Sequence, residues 1–212
     1  MALAQKAPKQ AELVVHDCEQ SSDAWFQARL GLATASEFST ILASGEQKGR
    51  TTLLRKLAGE IITGQPMENF SSQAMERGKV QESEAREWYE RTRFVDVQQV
   101  GFVYNPDLNA GWSPDGLLGD DGAIEIKSAA AHVLIGILEK GIFPTEHRAQ
   151  THGALWVGRR QWIDLVIYCH PKMPKYVARI EKDPVYEKEI SDAVEVFNWD
   201  LKKLVEKIRA MQ

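Results

Sequence analysis

Two carboxylates and a lysine are spaced in a way that suits metal-assisted hydrolysis. In GAIEIKS, residues 122–128, apolar and ionic side chains alternate. Because successive side chains of a β-strand point to opposite faces, Glu125 and Lys127 are expected on one face, and the isoleucines between them on the other. A third ionic residue, Asp115, lies upstream in SPDG. These three residues are the first candidates for a reaction centre.

The stretch between Asp115 and Glu125 predicts a tight turn. GLLGDDGA is rich in Gly and Asp, the residues that hairpin turns favour, at positions 119–122. Such a turn would fold the strand that begins at Asp115 back alongside Glu125, so that both carboxylates and Lys127 converge. The alternative is that Glu125 and Lys127 form the wet face of an edge strand and that Asp115 is a plain turn residue.

Converging carboxylates favour a hard divalent cation. Magnesium and manganese take oxygen ligands and keep waters for the substrate, whereas the histidine spacing offers no zinc site. A cation of this kind supports phosphodiester hydrolysis by polarising the phosphoryl oxygen and lowering the pKa of a water. Lys127 would help to orient or deprotonate that water, or else stabilise charge.

Helical and strand patterns alternate along the chain and predict an α/β fold, a mixed central sheet flanked by helices. Helices are predicted over 21–30, 34–42, 51–63, 71–93, 129–140 and 146–157, and from about Pro184 to the end. Strands are predicted over 13–16, 162–170 and 175–181, and the segments within 97–128 read as an antiparallel meander. The last helix carries a core-facing stripe at 3- and 4-residue spacing: Ile190, Val194, Phe197, Leu201, Leu204 and Ile208.

Composition sets broad limits. The 212 residues are 43% hydrophobic and 26% charged, which suits a single globular domain over 21–212 after an N-terminal extension over 1–20. A net charge of -4 argues against a protein that coats nucleic acid through a generally basic surface, but it allows a nuclease whose carboxylates hold cations. No apolar run is long enough for a membrane helix, so a cytoplasmic protein is expected.

Four ordered blocks of the sequence resemble a known family. SPDG at 113–116 followed by EIK at 125–127 is similar to the PD-(D/E)xK nuclease signature. Together with DAWFQARLGLATASEF at 23–38, RGKVQESEAR at 77–86 and HRAQTHGALWV at 147–157, it resembles the lambda exonuclease and YqaJ-type phage recombination nucleases. The resemblance implies a restriction-endonuclease-like (PD-(D/E)xK) core.

The resemblance also implies roles at the reaction centre. Lys127 would be the catalytic lysine, and Gln150 would lie beside the site to hold water or phosphate. The metal ligands implied are the side chains of Asp115, Glu125 and Glu82 and the main-chain carbonyl of Ile126.

A pocket for a terminal 5′-phosphate and a strand wedge are implied as well. Arg29, Ser36 and Ser113 match the phosphate pocket, which is reasonable chemistry because a guanidinium contacts phosphate bidentately and helix N-termini favour anions. Met75 matches an apolar residue that wedges between the last base pairs, although core packing is the commoner role of methionine. Candidate contacts to the DNA backbone, each equally a solvated charge, are Lys48, Arg50, Arg77, Lys79 and Lys140.

The implied function is a Mg²⁺-dependent, 5′-to-3′ exonuclease acting on double-stranded DNA ends, with Mn²⁺ as a possible substitute. It would release mononucleotides and leave 3′ single-stranded tails for phage-type recombination in the host cytoplasm. A ring-shaped homotrimer and a single-strand annealing protein are the implied partners. The alternatives are a PD-(D/E)xK endonuclease or repair nuclease, and a DNA-binding module that has lost catalysis.

Overall fold

Strands and helices alternate along the chain, as the sequence patterns predict. The computed structural model describes residues 10–43, 48–67 and 73–211, with the backbone alone for 73–77. The strands in this part of the chain are β1 (Val14–His16), β2 (Ala33–Thr34), β3 (Phe102–Asn105), β4 (Ala110–Trp112), β5 (Gly116–Leu118), β6 (Gly122–Ser128), β7 (Trp162–Tyr168) and β8 (Tyr176–Glu181). The α-helices are α1 (Asp23–Arg29), α2 (Phe38–Leu42), α3 (Lys48–Thr63), α4 (Gln73–Arg93), α5 (Ala131–Lys140), α6 (Arg148–Gly158) and α7 (Pro184–Arg209).

The strands form two mixed four-stranded sheets. The first has the order β1-β3-β4-β2 and the second β5-β6-β7-β8. In the second sheet, β6 is antiparallel to β5 and parallel to β7, and β8 closes the edge antiparallel to β7. The prediction of one antiparallel meander over 97–128 is therefore wrong, because the chain leaves the first sheet after β4 and enters the second at β5. The segment between these strands, residues 113–115, lies at the crossing.

The hairpin between β5 and β6 forms where its Gly and Asp residues predict it. Gly116 pairs with Ile124 and Leu118 with Gly122, and Gly119 adopts a left-handed φ of +56° in the turn. Strand β6 then continues beside β7, so it is an interior strand. The alternative that Glu125 sits on an edge strand is wrong.

Helices cover both faces of the second sheet. Ile124 and Ile126 pack with Ala85 and Tyr89 of α4 on one face. The opposite face meets α6, while α5 covers the outer part of β7 and β8 through the buried Leu134. Strand β7, WIDLVIY, is buried along nearly its whole length, as expected for a strand covered on both faces.

The long C-terminal helix α7 closes the core around α2, α3 and α6. It begins at an N-cap, Asp183, whose side chain accepts the N–H groups of residues 185 and 186. The buried positions of its stripe are Ile190, Val194, Phe197, Leu201 and Val205. The predicted stripe is confirmed up to Leu201, and Leu204 is partly buried against the same core. Val205 belongs to the stripe although it was not predicted, whereas Ile208 is 37% exposed.

The start of α3 and the N-terminal segment differ in part from their predictions. Helix α3 begins at Lys48 rather than Thr51. Part of the predicted N-terminal extension, Val14–His16, pairs with β3 and so belongs to the first sheet, while residues 1–9 lie outside the described part. No helix among the described residues is long and apolar enough to cross a membrane.

Candidate active site

The crossing between the two sheets places Asp115 against β6. Asp115 immediately precedes β5, and its Oδ2 accepts a 2.6 Å hydrogen bond from the backbone N–H of Ile126. Because the N–H and C=O groups of one residue point to the same side of an extended strand, the carbonyl of Ile126 also faces Asp115. Strand β6 thus offers a main-chain oxygen beside the carboxylate.

Glu125 is the buried acid of the site. Its side chain, on the other face of β6 from the isoleucines, is 2% exposed. Oε1 accepts hydrogen bonds from Lys127 Nζ at 2.7 Å and from Gln150 Nε2 at 2.5 Å. Oε2 is buried and has no hydrogen-bond partner among the residues that the structure describes. A buried carboxylate oxygen without a partner is energetically unfavourable, and a cation that took this oxygen as a ligand would relieve that cost.

Glu82 approaches the site from α4 but is held by a cation of its own. Its Oε1 accepts a hydrogen bond from Arg86 Nη2, one helical turn onward. The Nε of the same guanidinium donates to the main-chain carbonyl of Asp115 at 3.0 Å. No three His, Cys, Asp or Glu side chains form a ready-made metal cluster in the described ranges. Glu82 as a metal ligand therefore stays a prediction.

Burial and crowding shift the pKa values of this cluster. Burial, with the charges of Glu125 and Glu82, raises the pKa of Asp115 well above its usual value. Burial also raises the pKa of Glu82, opposed by Arg86. Burial alone would lower the pKa of Lys127, but Glu125 and Asp115 outweigh it and raise that pKa. Lys127 is therefore protonated at neutral pH. Three carboxyl groups, those of Asp115, Glu125 and Glu82, lie close to this one lysine and to Arg86.

A second polar cluster begins at Ser113, two residues before Asp115. Arg29, at the end of α1, donates from Nη1 to Ser113 Oγ at 2.8 Å and lies 4.0 Å above the Trp25 ring. The indole Nε1 also donates to Ser113 Oγ, at 3.0 Å. Burial lowers the pKa of Arg29, opposed by Glu37 and Glu60. A half-buried guanidinium against a hydroxyl can bind an anion.

The third member predicted for this pocket, Ser36, lies close by. Thr34 Oγ1 is 3.4 Å from Arg29 Nη2 and 3.2 Å from Ser36 Oγ, so Thr34 joins the two. Thr34 is the N-cap of a short 3-10 turn and donates to Glu37 Oε2. The exposed Ser36 hydroxyl thus faces solvent at the rim of the Arg29 cluster.

The sequence profile of the YqaJ-like viral recombinase domain matches residues 24–161, which is more than half of the chain and includes both clusters. The chain belongs to this family. No curated protein sequence matches.

Solved structures agree with the assignment to the YqaJ-like family. The alkaline exonuclease LHK-Exo from Laribacter hongkongensis is 30% identical, with a TM-score of 0.80, and the match covers 90% of this chain and 97% of that one. The structure of LHK-Exo in complex with dAMP gives 31% identity and a TM-score of 0.82 over the same shares. A phage-related exonuclease from Haemophilus somnus 129PT, 12% identical with a TM-score of 0.64 over 84% of this chain and 96% of that one, shares the fold. The predicted restriction-endonuclease-like fold is confirmed.

The predicted site residues of this YqaJ-like protein fall into two groups joined by the 113–115 segment. Around Asp115 the structure brings together Glu125, Lys127, Gln150 and the backbone of Ile126, with Glu82 at one side. The other group holds Arg29, Ser36 and Ser113. The Met75 side chain, predicted as a wedge, lies outside the described part of the molecule, as does that of Arg77.

Among the candidate contacts to the DNA backbone, Arg50 is already bound within the protein. It pairs with Asp200 of α7 at 2.7 Å and stacks over Phe197, so it holds α3 to α7. Lys48, Lys79 and Lys140 are exposed.

Three residues of the site were missed in the sequence. Arg86 carries a detectable signal, since it follows Glu82 at the i,i+4 spacing of a helical ion pair. Trp25 carries none, because its partner Ser113 is reached only through the fold. Thr34 has local partners in Arg29, Ser36 and Glu37, but their spacing does not indicate a phosphate pocket.

Proposed function

We propose that this protein is a Mg²⁺-dependent exonuclease that degrades one strand of double-stranded DNA from its 5′ end. The observation that carries the proposal is that the 113–115 segment joins the two clusters. Ser113 binds Arg29 in the Arg29 cluster. Asp115 lies with Glu125 and Glu82, which together form the acidic cluster. Two residues span about 7 Å at most, a distance comparable to one nucleotide of backbone. An end held at Arg29 would therefore present its first phosphodiester to Asp115.

Similarity supports the chemistry. LHK-Exo is described as an alkaline exonuclease, and its complex with dAMP holds a mononucleotide. A mononucleotide is the product expected when hydrolysis removes one residue at a time from an end. The likeness covers 90% of this chain.

The donor set fits a hard divalent cation. The candidate ligands are Asp115, the Ile126 carbonyl and Oε2 of Glu125, which has no hydrogen-bond partner among the described residues. All three offer oxygen rather than sulfur or an imidazole nitrogen. Mg²⁺, or Mn²⁺ in its place, would polarise the phosphoryl oxygen, lower the pKa of a water and stabilise the leaving 3′ oxygen. Its positive charge would also offset the crowding of carboxylates that raises the pKa of Asp115.

The chain's own residues prepare the site. Gln150 and Lys127 both bind Oε1 of Glu125, which fixes the carboxylate and leaves Oε2 for the cation. Because the pKa of Lys127 is raised, this lysine is protonated at neutral pH. In that state it would stabilise charge by orienting water or the developing oxyanion. A bound cation, which offsets Glu125 and Asp115, would lower the pKa of Lys127 and allow it to deprotonate the water instead.

The Arg29 cluster would select the end. A terminal phosphate carries more negative charge than an internal diester, so the guanidinium of Arg29 and the hydroxyls of Ser113 and Ser36 favour it. Binding there would place the scissile bond at Asp115 and set the 5′-to-3′ direction. Met75 is proposed to wedge the last base pair, and a homotrimeric ring and a single-strand annealing protein are proposed partners for the resulting 3′ tails.

Labelled DNA tests the proposal. A linear duplex labelled at the 5′ or the 3′ terminus, with a closed circular duplex as comparison, is incubated with Mg²⁺ or with EDTA. We expect immediate release of the 5′ label as a mononucleotide, slow loss of the 3′ label, an intact circle and no reaction in EDTA. Asp120→Ala, which removes an exposed carboxylate from the turn of the same hairpin, is the control and should match the wild type.

Three other results would each contradict one part of the proposed function. Cleavage of the circle would show an endonuclease, prior release of the 3′ label would reverse the polarity, and full activity in EDTA would refute the metal mechanism.

A further inference from the structure

Arg86 is a largely buried cation with no role in the chemistry described above. Its side chain, on the inner face of α4, is 12% exposed. Nε donates to the Asp115 carbonyl at 3.0 Å, and Nη2 binds Glu82 Oε1. One guanidinium thus connects the main chain at one acid with the side chain of another.

The segment that carries Asp115 is pinned from several directions. Ser113 Oγ accepts hydrogen bonds from Arg29 and Trp25, and the Pro114 carbonyl accepts one from Gln20 Nε2 at 2.9 Å. Arg86 takes the next carbonyl, at Asp115. The Asp115 carboxylate is then fixed by the Ile126 N–H. Among these contacts, only that of Arg86 also reaches Glu82.

The shape of the side chain matters here. A guanidinium is planar and presents Nε–H and Nη–H donors along one edge in a fixed geometry, so the two acceptors it binds are held at a fixed separation. A lysine ammonium carries the same charge at a single atom on a flexible stem and cannot impose that separation. The positive charge of Arg86 also lies beside the acidic cluster, to which Lys127 contributes a further cation.

We propose that Arg86 is the positioning residue of the reaction centre. It holds Asp115 and Glu82 in the arrangement in which Asp115, Glu125 and the Ile126 carbonyl bind the divalent cation. The inference rests on the proposed function, but it concerns the protein before DNA binds. Second-layer hydrogen bonds of this kind change metal affinity by about 10- to 100-fold when they are removed.

Two other roles for Arg86 make different predictions. Arg86 lines a cleft of about 550 Å³ together with Glu82 and Asp115, so it could instead contact a DNA phosphate directly. In that case its loss would raise the KM for DNA and weaken the salt dependence of binding, with metal affinity unchanged. If Arg86 only stabilised α4, its loss would lower the Tm and leave the folded protein's metal affinity intact.

Calorimetry and kinetics separate these roles. Mn²⁺ binding is titrated without DNA into the wild type, Arg86→Ala, Arg86→Lys and the control Arg91→Ala, which removes an exposed arginine from the same helix. Steady-state kcat and KM on a 5′-phosphorylated linear duplex, and Tm, are measured on the same samples. We expect the Mn²⁺ Kd of Arg86→Ala to rise about tenfold or more, with kcat lowered about tenfold or more and KM within about twofold.

Arg86→Lys and the wild type allow a conclusion even if Arg86→Ala does not fold or the proposed function is wrong. Arg86→Lys preserves charge and bulk, so it should fold even if Arg86→Ala does not, and it should still bind Mn²⁺ about tenfold more weakly. Wild-type Mn²⁺ affinity in either folded variant would overturn the inference. If the wild type binds Mn²⁺ but degrades no DNA, the proposed function fails while the calorimetric comparison still decides the role of Arg86.

Discussion

At the scale of single residues, the carboxylates of the acidic cluster repel one another. Asp115, Glu125 and Glu82 converge, and burial together with the neighbouring carboxylates raises the pKa of Asp115 well above its usual value. Lys127 and Arg86 offset part of this repulsion. The arrangement suits a site that gains stability when a divalent cation arrives.

The raised pKa of Asp115 makes stability depend on pH. A carboxyl with a higher pKa in the native state binds more protons there than in the unfolded chain, so stability falls as pH rises from the ordinary aspartate value of 3.8 towards the raised native value. In Asp115→Asn, which keeps an oxygen for the Ile126 N–H, this contribution is absent. We expect its stability in EDTA to decline less between pH 4 and 8 than that of the wild type. Urea unfolding at several pH values measures this, and parallel curves would show that Asp115 has no raised pKa.

Arg29 should govern the choice of end. Its removal takes away a charge-assisted contact, and we expect Arg29→Ala to lose about 1.5–3 kcal/mol of preference for 5′-phosphorylated over 5′-hydroxyl ends. The ratio of initial rates on the two duplexes measures it. Arg91→Ala should keep the wild-type ratio, and an unchanged ratio in Arg29→Ala would place the phosphate pocket elsewhere.

At the scale of elements, close packing of α6 sets the position of Gln150. A Cβ added to Gly153 would lie 2.3 Å from the Phe38 ring, whereas one added to Gly136 of α5 would meet nothing within 4 Å. We expect Gly153→Ala to lower the free energy of unfolding by about 1–3 kcal/mol, because overpacking moves α6 from α2. Gly136→Ala should be neutral or stabilise by about 0.5–1 kcal/mol. Equal values from denaturant unfolding would contradict this account.

The sequence predicts elements whose determinants are local. The β5–β6 hairpin follows from Gly and Asp between alternating residues, and the stripe of α7 follows from its period. Long-range pairing is not visible in this way. β1 joins β3 across more than eighty residues, and β4 and β5 part into different sheets although only residues 113–115 separate them.

The same distinction holds for the site. Alternation along β6 places Glu125 and Lys127 together, and the hairpin brings Asp115 to them. The roles predicted for Glu82, Gln150 and Arg29 rest on the family resemblance, because no local pattern marks them. Arg86 was missed, since its bond to the Asp115 carbonyl depends on how α4 packs against the crossing.

At the scale of the whole molecule, the prediction to be tested is that the protein forms a homotrimer. The described surface exposes apolar side chains at Val133 and Ile135 of α5 and at Ile142 just after it. We expect a homotrimer whose light-scattering mass is three times the 23.9 kDa of one chain. A monomer at micromolar concentration would contradict it.

A closed ring around DNA would also digest long stretches after one loading event. Heparin added after loading traps any enzyme that dissociates, so continued release of nucleotides in its presence is expected. Release of only a few nucleotides per encounter would exclude a closed ring.

Single-turnover hydrolysis tests the central claim most directly. Lys127→Ala and Asp115→Ala are compared with Lys172→Ala, which removes an exposed lysine, on a 5′-phosphorylated duplex with Mg²⁺, after circular dichroism has shown all three to be folded. We predict that both site variants lose about a hundredfold or more in rate, the order seen when one group that stabilises transition-state charge is removed, and that Lys172→Ala keeps the wild-type rate. A folded Lys127→Ala or Asp115→Ala that degrades DNA at the wild-type rate would show that hydrolysis takes place elsewhere.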